Sequence, residues 1–388
     1  MAAASHNKGE EVNILFVLGT RPEAIKLAPV IMAMKDSTGY CRPLICNTEQ
    51  QKDMSGQALS FFGLRADFNL DVMTENQTLT GLQSRLLSAL DAVYTEHDLA
   101  GTVVQGDTMS AYSGALCSFY HRRPVFHVEA GLRTGDMGEP FPEEALRCLI
   151  SRLACLHFAP TGNDRINLLT EGINPETVTV TGSTAVDALL RLPQGLLHEA
   201  AEFFRHKGVT QPTILITVHR RENHGPRLRH ILTALKTLAI AHPELDLIIP
   251  VHPNPNVRDE ITNSLGGLTN VFLLPPLSYP QLVYLLIHSR LVLTDSGGIQ
   301  EEAGALGRPI LVLRYKTERV ESLKAGLAEL VGTEPEKILT RSEALLSSPD
   351  LAECTRLHSD IQIYSDIYGS GHASRLITAG IESYLKNT

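Results

Sequence analysis

"VNILFVLGTRPEAIKLAPVIMAM", residues 12–34, passes from a short β-branched run through a glycine-bearing loop into an amphipathic helical pattern. Gly19 allows a tight turn, and Pro22 suits a first helical position, where its missing N–H costs nothing. The same order recurs. "GTVVQ" (101–105) precedes "GDTMSAYSGALCSFY", and "PVFHV" (124–128), "CLHFA" (155–159) and "VTVTG" (178–182) continue the series. Strands alternating with helices at this spacing imply a parallel sheet covered on both faces.

The rhythm lapses over 184–212, a helix and then a polar linker ending in "GVTQP". It resumes with "TILITV" (213–218), "LDLIIPV" (245–251), "VFLL" (271–274), "LVLT" (291–294) and "PILVL" (309–313). From about residue 336 the pattern is helical, clearest in "SRLITAGIESYL" (374–385). The expected fold is α/β, two doubly wound Rossmann-like domains facing a cleft, over residues 12–185 and 186–370. In open parallel sheets ligands gather beyond the carboxyl ends of the strands. The loops that follow the strands therefore carry the functional reading.

The 388 residues suffice for two domains with their own cores, and 43% apolar with 20% charged residues reads as an ordinary globular chain. A net charge of −9 and a pI near 5.9 remove the basic field that nucleic-acid binding calls for. A polyanionic ligand would need a local cluster of Arg and Lys. The six cysteines, at 41, 46, 117, 148, 155 and 354, form no CxxC and read as reduced thiols of a cytoplasmic protein. The opening "MAAASHNKGEEV" lacks the apolar stretch of a signal peptide, and no run approaches the ~20 apolar residues that span a bilayer. No membrane partner is expected.

At "GTRPEAIK" (19–26) the helix dipole and free amides favour an anion, with Arg21 at the mouth and Lys26 about a turn further in. "TDSGGIQEE" (294–302) repeats the arrangement: Ser296 is a good N-cap, and Gly297 and Gly298 let a ligand approach the backbone. Glu302, about one turn on, suits sugar or ribose hydroxyls. Amides for a phosphate beside a carboxylate for hydroxyls fit a nucleoside diphosphate. "RYKTERVE" (314–321) adds Arg314, Lys316 and Arg319, read singly as a solvated helix start.

Asp107 in "QGDTMS", Glu129 in "HVEAGLRTGD", and Glu143, Glu144 and Arg147 in "FPEEALR" follow successive strands of the first half. Acids at a helix start commonly complement the dipole. Three acidic segments near an anion site also match acid–base groups placed beside a sugar ring. His219 in "TVHRREN" is a phosphate-pairing cation, a general acid or a capping histidine. His252 in "PVHPNPNV" reads as structural. Neither histidine has metal-ligand spacing, and no H-E-x-x-H or nucleophile elbow occurs.

"FVLGTRPEAIKLAPV", "QGDT", "HVEAGLRTGD", "PEEALR", "GSTAVDALL", "VHRRENHG", "LTDSGGIQEEA" and "TERVE" together resemble the non-hydrolysing UDP-N-acetylglucosamine 2-epimerases, from about residue 12 to 385. The resemblance implies a glycosyltransferase-B-like fold, with the C-terminal helix, 371–388, packing back on the first domain. It implies reversible conversion of UDP-GlcNAc to UDP-ManNAc for surface polysaccharide synthesis, by a homodimer without NAD or metal. UDP is eliminated to give 2-acetamidoglucal and then added back. Carried over by motif, Arg21, Lys26 and His219 face the diphosphate, and His219 counts among the catalytic groups. Asp107, Glu129 and Glu143 form the acid–base set, oriented by Arg147. Ser296, Gly297 and Gly298 hold phosphate, Glu302 the ribose, and Arg319 completes the sugar side. The alternatives are a hydrolysing epimerase releasing ManNAc and UDP, a glycosyltransferase, and a non-catalytic sugar-nucleotide-binding regulator.

Overall fold

A computed structural model describes residues 11–37, 39–74, 77–251, 255–348, 361 and 367–388. His252 and Cys354 lie outside them. The chain divides into two compact units, Met1–Ala188 with Tyr368–Thr388, and Leu189–Ile367.

The first unit holds β1 (Val12–Leu18), β2 (Cys41–Asn47), β3 (Phe68–Asn69), β4 (Gly101–Gln105), β5 (Val125–Val128), β6 (Leu156–Ala159) and β7 (Val178–Val180). They form one parallel sheet in the order β3-β2-β1-β4-β5-β6-β7. The central strands β4 and β5 are buried at every residue. Helices on both faces leave no polar side for alternation to mark. The sequence reading missed β2, whose Pro43 argues against a central strand. Its partner β3 pairs only with Cys46 and Asn47, so the missing Pro43 N–H falls where β2 is still an edge.

The closing helix, Ala373–Asn387, belongs to this unit. Asp187 caps it, accepting from the amides of Ala373 (3.2 Å) and Ser374 (2.8 Å) and from the Ser374 hydroxyl (2.6 Å). Glu382 accepts from Ser37 at 2.6 Å, beyond the end of the helix Arg21–Lys35.

The second unit holds β8 (Thr213–Thr217), β9 (Asp246–Pro250), β10 (Val271–Leu274), β11 (Ser289–Thr294), β12 (Ile310–Val312) and β13 (Ala328–Leu330). The order is β10-β9-β8-β11-β12-β13, again parallel throughout. Ile214, Ile216, Leu235, Leu247, Leu293 and Leu311 lie in its apolar core. The doubly wound α/β class expected from the sequence holds in both units.

Each sheet reverses its winding once, between β1 and β4 and between β8 and β11. Loops leaving neighbouring strands in opposite directions open a crevice at such points. The residues after those four strands are Gly19–Arg21, Gly106–Thr108, Val218–Arg220 and Asp295–Gly297. Among the described residues, no helix is long and apolar enough to cross a membrane, and the five cysteines are unpaired thiols.

Candidate active site

The helix Arg21–Lys35 starts under a capping box. Thr20 receives the Glu23 amide (3.5 Å), and the Glu23 carboxylate reaches back to the amides of Gly19 (3.0 Å) and Thr20 (2.8 Å). The Arg21 amide donates to the Gln51 side chain at 3.0 Å, and Pro22 has none. Every amide from Gly19 to Glu23 thus has an acceptor, so this mouth is not the open anion site the sequence suggested. Its acceptor is internal: the T-x-x-E signature supplies the Glu23 carboxyl. Glu23 is 1% exposed and also accepts from the Thr108 hydroxyl at 2.7 Å, tying the loop after β1 to the loop after β4. Burial pushes its carboxyl up to about 7, against the hydrogen bonds that lower it.

Past the adjacent strands β1, β4 and β5, the predicted charges meet in pairs. Lys26 sits on Glu129 at 2.6 Å, both nearly buried. Gln105, the last residue of β4, donates to the other Glu129 oxygen. Glu129 adopts φ +63°, a left-handed conformation uncommon for a residue with a Cβ. Arg147 donates from Nη2 to Asp107 and from Nη1 to Glu144 at 3.1 Å. Glu144 also accepts the amides of Thr134 and Gly135, each at 2.9 Å. Glu143 and Arg21 are half-buried at the first positions of their helices.

His127, fully buried on β5, donates from Nε2 to the Gly106 carbonyl at 2.8 Å. Burial lowers its imidazole to about 3, so the ring stays neutral and braces the turn that carries Asp107.

In the second unit the two acids flanking the glycine turn prove to be scaffold. Asp295, at the end of β11, accepts from the amides of His219 (3.1 Å) and Arg220 (2.9 Å), from Asn223 (3.0 Å) and from His219 Nδ1 (3.1 Å). Burial alone would raise its carboxyl; the His219 charge and these donors outweigh that and bring it to about 2. The His219 side chain remains 45% exposed, with one ring nitrogen fixed by Asp295. Glu301 pairs with Arg319 at 2.7 Å, and Arg319 also meets Glu318. Arg314 is fully buried between Glu222 (2.9 Å) and Glu318 (3.0 Å), not solvated as its sequence context implied.

Ser296 stands at the N-cap of the helix Gly297–Ala305, yet its side chain makes no capping hydrogen bond. The first unit's helix start, by contrast, has its capping box closed by Glu23. The two glycines also differ. A Cβ at Gly297 would lie 2.8 Å from Glu318 and 3.0 Å from Arg319, so packing requires this glycine. Nothing lies within 4 Å of a Cβ at Gly298. Of the two glycines expected to let a ligand close, Gly298 is the one with open space around it. Glu302 is buried one turn on.

The twelve predicted residues therefore divide into two sets. Arg21, Lys26, Asp107, Glu129, Glu143 and Arg147 lie past β1, β4 and β5, and His219, Ser296, Gly297, Gly298, Glu302 and Arg319 past β8, β11 and β12. The sequence reading passed over Glu23, Gln105, His127 and Asp295 as participants. Only Glu23 had a local signal. Elsewhere, Asp91, Cys117 and His121 bring potential metal-ligand atoms within 4.8 Å of one another, with Asp91 and His121 bonded at 2.7 Å.

Residues 34–382 match the family model described as UDP-N-acetylglucosamine 2-epimerase. The UDP-N-acetylglucosamine 2-epimerase of Yersinia pestis is 40% identical over 96% of this chain and 99% of its own. The solved UDP-GlcNAc 2-epimerase of Neisseria meningitidis bound to UDP-GlcNAc superposes with a TM-score of 0.85 at 39% identity, covering 97% of this chain and all of that one. That of Methanocaldococcus jannaschii, in complex with UDP-GlcNAc and UDP, gives 0.83 at 29% identity, with 97% and 100% covered. With the family model matched over residues 34–382 and relatives about 40% identical over almost the whole of both chains, the chain belongs to the UDP-N-acetylglucosamine 2-epimerase family.

Proposed function

We propose that the protein interconverts UDP-GlcNAc and UDP-ManNAc by eliminating UDP and adding it back, supplying ManNAc units for a surface polysaccharide. The C2 hydrogen is not next to a carbonyl, so its removal must be coupled to departure of a leaving group. A carboxylate takes the C2 proton, the C–H electron pair forms the C1–C2 double bond, and the anomeric C–O bond breaks with its electrons on UDP. Protonation of C2 on the opposite face and attack of the UDP oxygen on C1 complete the epimerisation. Nothing is oxidised and no water is consumed.

One observation carries this reading: two carboxylates, Asp107 and Glu129, each held by its own buried cation past neighbouring strands. Inversion requires proton transfer at both faces of one carbon, and two separately oriented carboxylates suit that task. Glu143 joins the set. His219, Arg21 and the helix start at Gly297 and Gly298 stabilise the departing diphosphate, electrostatic work for groups fixed in advance. Ser296 serves the same phosphates, Glu302 the ribose and Arg319 the sugar side. Lys26 acts first through Glu129.

Incubation with UDP-GlcNAc alone, followed by NMR, should give an equilibrium mixture containing UDP-ManNAc. Accumulation of free ManNAc and UDP would identify a hydrolysing epimerase instead, and an unchanged substrate would point to a transferase or a binding protein.

A further inference from the structure

We infer that Glu144 is a positioning residue for the reaction, acting through Arg147 on Asp107; this rests on the function proposed above. Glu144 is the second residue of the helix Glu143–Leu153, where an acid ordinarily complements the dipole from solvent. Here it is 1% exposed, and three donors converge on it. Oε1 takes the amides of Thr134 and Gly135, and Oε2 takes Arg147 Nη1 at 3.1 Å. The second terminal nitrogen of Arg147 donates to Asp107.

The planar guanidinium fork links the two carboxylates, as a lysine ammonium would not in fixed orientation. Arg147 is itself 3% exposed, and Asp107 is half-buried at the end of β4. Glu144 fixes the loop after β5 with one oxygen and aims the fork with the other. The orientation of Asp107 is thereby set from the far side of Arg147 by a group that does not touch it.

Glu144→Gln separates these tasks. The amide carbonyl can keep the two backbone donors, whereas the –NH2 group meets Arg147 donor to donor. Loss of one charge-assisted bond should lower kcat about 10- to 100-fold. KM should stay within about threefold, because substrate binding is not what the pair provides. Arg147→Lys should fall similarly, and the double variant no further than Arg147→Lys alone. Loss of UDP-GlcNAc turnover that multiplies across the two changes, or a Glu144→Gln enzyme within about twofold of wild type, overturns the inference. A wild-type protein that fails to epimerise would count against the proposed function instead. Crystallography of Glu144→Gln then decides this point without turnover: Arg147 withdrawn from Asp107 is expected, and an intact pair overturns the role.

Discussion

Glu129 combines two costs that a merely structural residue would avoid. Its left-handed backbone costs on the order of 1 kcal/mol, and its carboxylate is held dry against Lys26. Removing one partner of such a pair strands the other charge. Glu129→Gln should therefore lose about 3 kcal/mol in urea unfolding along with activity. Lys26→Met combined with Glu129→Gln should recover most of that stability and remain inactive; a single variant as stable as wild type would contradict a dry pair. Asp107→Asn differs, because Arg147 keeps Glu144 as a counter-charge. It should fold like wild type by circular dichroism and lose about 10²- to 10⁴-fold in UDP-GlcNAc turnover. Near-normal turnover would remove Asp107 from the acid–base set. Glu23 gives a pH signature. Its folded carboxyl titrates at about 7 against 4.5 unfolded, so the native state binds the extra proton between those values. Stability from this group is accordingly lost as pH rises from 4.5 to 7 and is constant above, a change of about 3 kcal/mol. Glu23→Gln should abolish that slope, leaving a wild-type-minus-variant difference that falls across this window in urea titrations. A flat difference would show that Glu23 is not held buried. Asp295, brought to about 2, works oppositely and only below its unfolded 3.8.

At the scale of elements, the two strand-to-helix turns look alike in sequence and diverge in structure. Glu23 closes the first; in the second the N-cap residue Ser296 makes no side-chain cap. Gly297→Ala should lower the melting temperature, because its Cβ would press on Glu318 and Arg319, at a cost of about 1–3 kcal/mol. Gly298→Ala meets open space and should melt like wild type while weakening UDP binding in calorimetry. If Gly297→Ala left the melting point unchanged, the packing argument would fail. The turns also show where sequence reading ends. The closed mouth was legible in T-x-x-E, which names its own capping partner three residues on. That Glu301 would turn inward to Arg319 was not, since the pair spans 18 residues and a strand. β2 was hidden because Pro43 argues against a sheet interior, and only the two-residue length of β3 shows why proline is tolerated there.

At the scale of the molecule, the fold was readable because period and punctuation agree along the chain: apolar strand, glycine turn, helix, twice over. The ranking of the site residues was less so. Motif order singled out Asp107, Glu129, Arg147 and His219; Glu144 lies one turn from Arg147 on the same helix, whereas Gln105 and Asp295 meet Glu129 and His219 from neighbouring strand ends that only the sheet order brings together. The net charge of −9 also takes on meaning here. Arg314, Arg319, Arg147 and Lys26 are each paired with a carboxylate, so much of the chain's positive charge at these strand ends is matched within its own unit.

Removal and return of the C2 proton, while UDP departs and comes back, leaves a mark that turnover of UDP-GlcNAc in D2O, followed by proton NMR, reads out. Deuterium should appear at C2 of the UDP-ManNAc formed and, as the reaction reverses, at C2 of the recovered UDP-GlcNAc. Epimerised product that retains protium at C2 would contradict proton exchange with solvent, and the elimination account with it.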